Sequence, residues 1–197
     1  MYFNLLVEGY VDEAVAQRLL QDCGHESGVT YGKKGWNYIQ QRIGSFDRAA
    51  GVHGLLTLVD FMDTGKSCPP AVVHDWLPQR AATHLFRVAV REIESWILAD
   101  RKGVARFLDV PLVKIPRDVE ALADPKQALV NLARSSRSRV IREALVPRTG
   151  YTAMEGPLYS SEVARFVRLN WNHDAARLQS DSLHRCIHRL LELHDRK

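Results

Sequence analysis

The amino-acid sequence predicts an α/β protein: a mostly parallel sheet with helices on both faces, followed by an all-helical extension. Short apolar runs alternate with segments of helical periodicity in the first half of the chain. This alternation is typical of parallel sheets, whose strands are buried on both faces. After about residue 110 only amphipathic helical patterns follow. We therefore expect an α/β domain over residues 1–110 and a helical extension over residues 111–197.

Four apolar runs predict the strands of the sheet: YFNLLV, GVTY, GLLTLV and HLFRVAV. The helix after the first strand is VDEAVAQRLLQDCG, in which Val11, Val15 and Leu19 recur at helical spacing and Gly24 marks the end. A second helix, WNYIQQRIGSFDRA, and a short third one, AVVHDWLPQR, complete the crossovers. The segment REIESWILADRKG predicts one further helix that closes the series.

The carboxyl ends of these strands are expected to share one edge of the sheet, because crossovers between parallel strands are almost always right-handed. Ligands bind outside that edge, close to the point where the strand order reverses. The extension contributes three amphipathic helical patterns: DPKQALVNLARSS, SSEVARFVRLNW and SDSLHRCIHRLLELH. Functional side chains are therefore expected first at the strand ends.

The composition is that of an ordinary globular protein, with 46% hydrophobic and 25% charged residues among 197. A net charge of +4 favours anionic partners only mildly. Without an apolar run of about 20 residues, no membrane span is expected. The first residues do not read as a signal peptide, which predicts a cytoplasmic protein. The three scattered cysteines do not suggest a disulfide framework.

Carboxylates follow three of the predicted strands at the point where each strand ends. They are Glu8 and Asp12 after the first strand, Asp60 and Asp63 after the third, and Glu92 and Glu94 after the fourth. Clustered carboxylates repel one another unless a cation neutralises them. Oxygen ligands of this kind suit Mg²⁺ or Mn²⁺, and two such ions can clamp the attacking and leaving oxygens of a phosphodiester. The pattern predicts a divalent-metal site.

Each acid also has a simpler interpretation. Asp12 alone would stabilise the N-terminus of its helix through the dipole. Asp60 and Asp63 alone would be loop acids in an Asx-type turn. Glu92 and Glu94, two apart on a helix, point about 200° from each other, so only one faces the crevice unless Glu92 still belongs to the strand end. The alternatives are weakest for Glu8, which follows a buried run and precedes a glycine that permits close approach.

The segments LLVEGYVDEAVAQRLL, LLTLVDFMD and VREIESWILAD together resemble the Toprim (topoisomerase–primase) superfamily, over about residues 3 to 101. They are most similar to small bacterial Toprim-like proteins related to the OLD nucleases and to the small Toprim maturases of ribosomal RNA. The resemblance implies a Rossmann-like sheet and a site in which a strand-one glutamate and a DxD pair hold Mg²⁺ for phosphodiester cleavage.

The family's functional residues correspond to individual positions of this chain. The resemblance implies that Glu8 is the strand-one glutamate, a general base or metal ligand, that Asp12 is the second acid, and that Asp60 is the first aspartate of the DxD pair. Glu8 and Asp60 are thus the expected catalytic residues. The chain departs from the pattern at Met62, where the second aspartate is expected. Asp63, Glu92 or Glu94 would then supply the missing ligand.

Basic residues in three segments are candidates for contacts with a nucleic-acid backbone. They are Lys33 and Lys34 in YGKKGW, Lys66 in DTGKSC, and Arg134, Arg137, Arg139 and Arg142 in RSSRSRVIREALVPR. The alternatives are a plain turn for YGKKGW and a solvated helix face for the arginines. DTGKSC is not a Walker A loop, because Asp60 stands where that motif requires a glycine.

Two functions follow as hypotheses. The first is a Mg²⁺-dependent Toprim-type nuclease that acts on DNA or RNA. The second is a non-catalytic Toprim-like module that binds nucleic acid or a partner ATPase, which the altered DxD pair favours. Toprim domains in this neighbourhood often work with an ATPase. This sequence has no P-loop, so such an ATPase would be a separate polypeptide.

Overall fold

The computed structural model describes residues 1–50 and 53–194 and confirms the α/β class. Its four strands form one parallel sheet in the order β2-β1-β3-β4. The strands are β1 (Tyr2–Val7), β2 (Glu26–Gly32), β3 (Gly54–Asp60) and β4 (His84–Ala89). In the register, Leu6 lies opposite Thr57, and Asp60 lies opposite Ala89.

The crossovers consist of helices on opposite faces of the sheet. They are α1 (Tyr10–Asp22), α2 (Trp36–Ala49) and α3 (Pro69–Trp76). The chain passes from β1 through α1 to β2, then returns through α2 to β3 on the other side of β1. The strand order therefore reverses between β1 and β3. The crevice outside their carboxyl ends is where such a sheet binds its ligands.

The prediction of one helix over REIESWILADRKG is wrong, because the segment forms two helices that meet at Asp100. They are α4 (Ile93–Ala99) and α5 (Arg101–Phe107). Asp100 leaves the helical conformation, and its Oδ1 accepts a hydrogen bond from Gly103 N at 2.9 Å. Its Oδ2 accepts another from Asn172 N at 2.9 Å. A buried carboxylate that caps the second helix and binds a distant turn is more stable here than one more helical residue.

Beyond α5, the described part of the chain contains helices and no strand. The helices are α6 (Pro125–Arg134), α7 (Arg139–Leu145), α8 (Tyr159–Leu169), α9 (His173–Ala176) and α10 (Asp181–His194). Short 3₁₀ turns lie at Met62–Thr64 and Leu112–Lys114. No helix of the described ranges is both long enough and apolar enough to span a membrane.

Two apolar cores lie on the two faces of the sheet. Helices α2 and α3 cover one face, where Ile39 and Val72 pack with Leu6 and Phe86. Helix α1 covers the other face together with the helical extension. Residues of α8 and α10 belong to the same apolar cluster as β1 and α1. The extension thus shares its core with the α/β part, and this packing brings side chains from after residue 110 close to the sheet.

Candidate functional site at the reversal of the strand order

Glu8 and Asp60 meet at the crevice between β1 and β3. Glu8 follows β1 directly, and its Oε1 accepts a hydrogen bond from Asp60 N at 2.8 Å. Asp60 is the last residue of β3, and its Oδ1 accepts a hydrogen bond from Ile93 N, the first residue of α4, at 2.7 Å. One chain of hydrogen bonds therefore joins the carboxyl ends of β1 and β3 to the segment that follows β4.

Asp12 lies in the first turn of α1 and is buried, with 6% of its surface exposed. Its Oδ1 has no hydrogen-bond partner among the described residues. A carboxylate that only complements a helix dipole has no need of burial, so this environment favours a role in the site. Gly9 permits the close approach, because a Cβ there would lie 3.3 Å from Asp12 Oδ2.

Glu92 and Glu94 both face the site, which resolves the alternative left open by the sequence. Glu92 is the N-cap of α4 and has extended backbone angles, so the 200° separation of two helical residues does not apply to the pair. Glu92 Oε2 accepts a hydrogen bond from Lys126 N at 2.8 Å. Glu94 is almost fully buried, and its Oε1 accepts a hydrogen bond from the Tyr159 hydroxyl at 3.0 Å.

Lys126, on the first turn of α6, is a cation within this cluster that the sequence analysis missed. Its Nζ lies 3.8 Å from Glu94 Oε1 and 3.9 Å from Glu155 Oε2. It also lies 5.9 Å from the centroid of the Tyr159 ring, within range of a cation–π contact. A lysine on a polar helix turn gives no specific sequence signal. Only the packing of the extension against the sheet identifies it.

Burial is the main cause of the raised pKa values in this cluster. It raises the pKa of Glu8 to about 8, although the hydrogen bond from Asp60 N opposes the shift. Burial also raises the pKa of Asp60 well above its ordinary value, and the charges of Asp12, Glu94 and Glu8 add to it. Burial therefore favours the protonated form of both carboxyl groups at the strand ends.

The other three carboxyl groups have smaller shifts of the same sign. Burial raises the pKa of Asp12 to about 6, that of Glu94 to about 6 and that of Glu92 to about 7. Lys126 limits all three shifts through its positive charge. Burial disfavours the Lys126 ammonium, yet Glu94, Glu155 and Glu92 together raise its pKa above the ordinary value. Within the described ranges, the cluster is therefore a group of buried and half-buried carboxyl groups with Lys126 as a counter-ion.

The donor set suits a hard divalent cation, since every candidate ligand is a carboxylate oxygen. Two buried oxygens, Asp12 Oδ1 and Glu94 Oε2, lack hydrogen-bond partners within the described ranges. Across residues 1–50 and 53–194, however, no group of three or more His, Cys, Asp and Glu side chains is arranged to hold a metal ion.

Asp63 and Met62 lie at the outer side of the cluster, in the 3₁₀ turn after β3. Asp63 is exposed, and its charge contributes to the raised pKa of Glu8. Met62 N donates a hydrogen bond to Arg91 O at 3.1 Å, which fixes this turn against the segment after β4. Asp63 is therefore near Glu8 but solvated, unlike the five buried or partly buried acids.

The three predicted lysines already have partners on the protein. Lys33 Nζ lies 3.2 Å from Glu13 Oε2, and Lys66 Nζ lies 2.8 Å from Asp75 Oδ2. Lys34 Nζ lies 5.2 Å from the centroid of the Tyr38 ring. All three contacts are at the surface, where such pairs contribute little to stability.

Two of the four predicted arginines line a separate groove at the C-terminal end of α6. Arg134 and Arg142, together with Arg148, line an open cavity of about 690 Å³. Arg139 is paired with Glu143, their Nε and Oε1 being 2.7 Å apart, and Arg137 is exposed. Arg134 is the last residue of α6 and Lys126 its second, so a helical rise of 1.5 Å per residue separates them by about 12 Å.

Comparison with protein-family models, curated proteins and solved structures gives no match. The Toprim resemblance therefore stays a prediction. The evidence for the function is the geometry of the acidic cluster.

Proposed function

We propose that this chain is a Mg²⁺-dependent phosphodiester hydrolase of the Toprim type that acts on DNA or RNA. The observation that carries the proposal is the contact between Glu8 and Asp60 at the reversal of the strand order. Asp12, Glu92 and Glu94 lie within electrostatic range of Asp60. Because burial of so many carboxylates costs free energy, the arrangement is best explained by a cation that binds there.

The residues that would hold Mg²⁺ are Glu8 and Asp60, with Asp12 and Glu94 binding the ion or its waters through their unpartnered oxygens. When bound, Mg²⁺ would polarise the phosphodiester and lower the pKa of a coordinated water. The backbone N–H groups of Asp60 and Ile93 orient Glu8 and Asp60. These two hydrogen bonds hold both carboxylates at the crevice.

Two further roles belong to side chains of the cluster. Burial raises the pKa of Glu8 to about 8, so the group would act as a base only when a bound cation lowers this pKa, and its carboxylate would then accept a proton from the attacking water. Lys126 would balance the charge of a phosphate that binds at the cluster, because its Nζ lies 3.8 Å from Glu94 Oε1. The groove lined by Arg134 and Arg142 would hold the backbone about 12 Å farther along α6.

Cleavage of supercoiled plasmid DNA and of a structured RNA, in Mg²⁺ or Mn²⁺, tests this proposal. We expect Asp60→Asn and Glu8→Gln to lower the cleavage rate at least 100-fold, because each removes a charged ligand without changing the size of the side chain. The matched control is Glu162→Gln, a half-buried carboxylate on α8 that pairs with Arg165 outside the acidic cluster. Equal cleavage by wild type and Asp60→Asn, or undiminished cleavage in EDTA, would refute the proposal.

A second candidate is a non-catalytic Toprim-like module that binds nucleic acid or a separate ATPase. It is favoured by Met62, which stands 39% exposed where the resemblance calls for the second aspartate. Titration calorimetry with Mg²⁺ and Mn²⁺ separates the two candidates. Saturable binding that Asp60→Asn abolishes supports the hydrolase, whereas no heat of binding at millimolar metal supports the inert module.

A further inference from the structure

A second groove lies away from the acidic cluster, along the free edge of the sheet. Strand β4 is the last strand of the sheet and pairs only with β3 among the described strands. A cavity of about 670 Å³ runs beside it, and Phe86, Arg87, Val88 and Val90 form part of its wall. This volume is within the range of binding sites in proteins.

The backbone of β4 presents unpaired groups to this groove. Thr83 O accepts a hydrogen bond from Leu55 N in β3, and Ala89 O accepts one from the backbone N–H of the residue that follows β3. The odd-numbered residues of β4 therefore point their backbone groups toward β3. Because this direction alternates along a strand, the even-numbered residues Phe86 and Val88 point theirs into the groove. Within the described ranges no hydrogen bond occupies Phe86 N or Val88 N.

The two walls of the groove differ in character. On the α3 side, Val73, Leu77 and the proline pair at the start of the helix are apolar, and Phe86 and Val88 add to this face. Arg87 points to the opposite face of the sheet, toward α10, where Cys186 and Arg189 lie near it. A segment that fits both walls must therefore alternate apolar side chains with side chains that complement Arg87.

The charges of the groove favour acidic residues at the positions of the segment that face Arg87. Arg87 Nε is buried without a hydrogen-bond partner in the described part of the chain. Arg80 is exposed at the same groove and forms no salt bridge with an acid of the described residues. The two acids at the groove are already engaged: Glu120 Oε1 accepts hydrogen bonds from Ser180 and Ser182 hydroxyls, and Asp181 pairs with Arg185.

We propose that the free edge of β4 binds an extended segment of a partner protein in which acidic and apolar residues alternate. The segment adds a fifth strand to the sheet by pairing with the backbone of Phe86 and Val88. Its apolar side chains point toward α3, and its carboxylates point toward Arg87 and Arg80. At about 3.3 Å per residue, the length from Phe86 to Ala89 accommodates roughly four residues, since Val90 N already donates a hydrogen bond to Ser182 Oγ. A second copy of this chain is a poorer occupant, because pairing β4 with itself would bring Arg87 close to Arg87 of the copy.

The probe is a fluorescein-labelled peptide, acetyl-VEVEVEV-amide, whose binding is followed by fluorescence anisotropy. We expect saturable binding with a Kd of about 10 μM or tighter at low salt. Arg87→Met and Arg80→Gln should each weaken it at least fivefold. The matched control Arg165→Gln, on α8, should bind like wild type. Circular dichroism verifies that each variant is folded.

Control peptides test the charge and the backbone pairing separately. The lysine analogue acetyl-VKVKVKV-amide should not bind. Two further peptides carry N-methyl groups, one on the backbone nitrogens of its valines and the other on those of its glutamates. Because only one of these two sets of N–H groups faces β4, at least one of the two peptides should not bind.

Several results would overturn the proposal: no binding of the acidic peptide at 1 mM, equal binding of the lysine peptide, full binding of both methylated peptides, or no effect of Arg87→Met. Binding of a dT oligonucleotide in place of the peptide, with loss in Arg87→Met, would assign the groove to nucleic acid instead. A dimer in sedimentation that acidic peptide does not dissociate and Arg87→Met strengthens would assign it to a second copy. None of these readouts depends on phosphodiester cleavage.

Discussion

The Glu8 carboxylate accepts a hydrogen bond from the main-chain N–H of Asp60 at 2.8 Å, across 52 residues of sequence. This contact fixes the ends of β1 and β3 relative to each other at the point where the strand order reverses. It uses only one oxygen of Glu8 and leaves the Asp60 carboxylate to orient against Ile93 N. Backbone donors thus hold the two acids close together at the ends of β1 and β3.

The first prediction concerns the pH dependence of stability in Glu8→Gln. The folded-state pKa of Glu8 is about 8 and its ordinary value 4.5, so the folded state binds more protons in that interval. Wild-type stability therefore falls as pH rises from about 4.5 to 8, and a neutral glutamine escapes this loss. In EDTA, we expect Glu8→Gln to match wild type at pH 4.5 and to be about 2–4 kcal/mol more stable at pH 8.

Urea unfolding at pH 4.5, 6 and 8 measures this difference. Glu162→Gln, on α8 and outside the acidic cluster, is the control and should differ little from wild type, because its ion pair with Arg165 lies at the surface. A difference between Glu8→Gln and wild type that is the same at all three pH values would show that Glu8 does not titrate as a buried group.

The second prediction concerns Lys126→Met, which removes the internal counter-ion and keeps the length of the side chain. Glu94 would then be a buried carboxylate without its nearby cation. Because Lys126 is partly exposed, we expect a moderate loss of about 1–2 kcal/mol at pH 8. The loss should shrink toward pH 4.5, where Glu94 is protonated in both proteins.

The matched control for this variant is Lys102→Met, at an exposed position of α5. Thermal unfolding at the two pH values separates the effects. If Lys126→Met were as stable as Lys102→Met at pH 8, Lys126 would not neutralise the cluster.

The third prediction tests the break between α4 and α5 with two glycines in helices. A Cβ at Gly103 would lie far inside contact distance of Asp100 Oδ2, at 1.9 Å. Asp100 is buried and bound to two backbone N–H groups, so it cannot move away without losing them. We expect Gly103→Ala to destabilise the protein by about 2–3 kcal/mol.

Gly44→Ala is the corresponding control in α2, where the closest atom to a Cβ is Arg48 Nη1 at 3.6 Å. It should be neutral or stabilise the protein by up to about 1 kcal/mol through helix propensity. Chemical denaturation compares the two variants, and a tolerated alanine at residue 103 would contradict the described packing of Asp100.

The fourth prediction concerns nucleic-acid binding by the arginine groove. Arg134→Gln should weaken binding of a DNA duplex about three- to tenfold and reduce the slope of log K against log salt by about 1. Arg139→Gln should have a smaller effect, because Arg139 is already paired with Glu143. Anisotropy titrations at several salt concentrations measure both slopes. Identical slopes for wild type and Arg134→Gln would exclude Arg134 from the phosphate contacts.

Strand-end acids were predictable from the sequence because each directly follows an apolar run, and this local pattern fixes where Glu8 and Asp60 lie. The strand order was not predictable in the same way, since it depends on which crossovers cover which face. Glu92 and Glu94 could not be assigned until the start of α4 at Ile93 was known. A shift of one residue in a helix start changes which side chains share a direction.

Lys126, Tyr159 and Glu155 were missed because they come from the extension. Their proximity to Glu94 depends on how α6 and α8 pack on the core shared with β1 and α1. Amphipathic periodicity identifies such helices but not the surface that they contact. The break at Asp100 was missed for a related reason, as it depends on a hydrogen bond to Asn172, 72 residues away.

A crystal grown with Mn²⁺ and measured at the manganese absorption edge tests the central proposal most directly. We expect an anomalous peak in the crevice between β1 and β3, from a Mn²⁺ ion bound by a carboxylate oxygen of Glu8 or Asp60. No anomalous peak at millimolar Mn²⁺, or a peak only at a site remote from both residues, would contradict it.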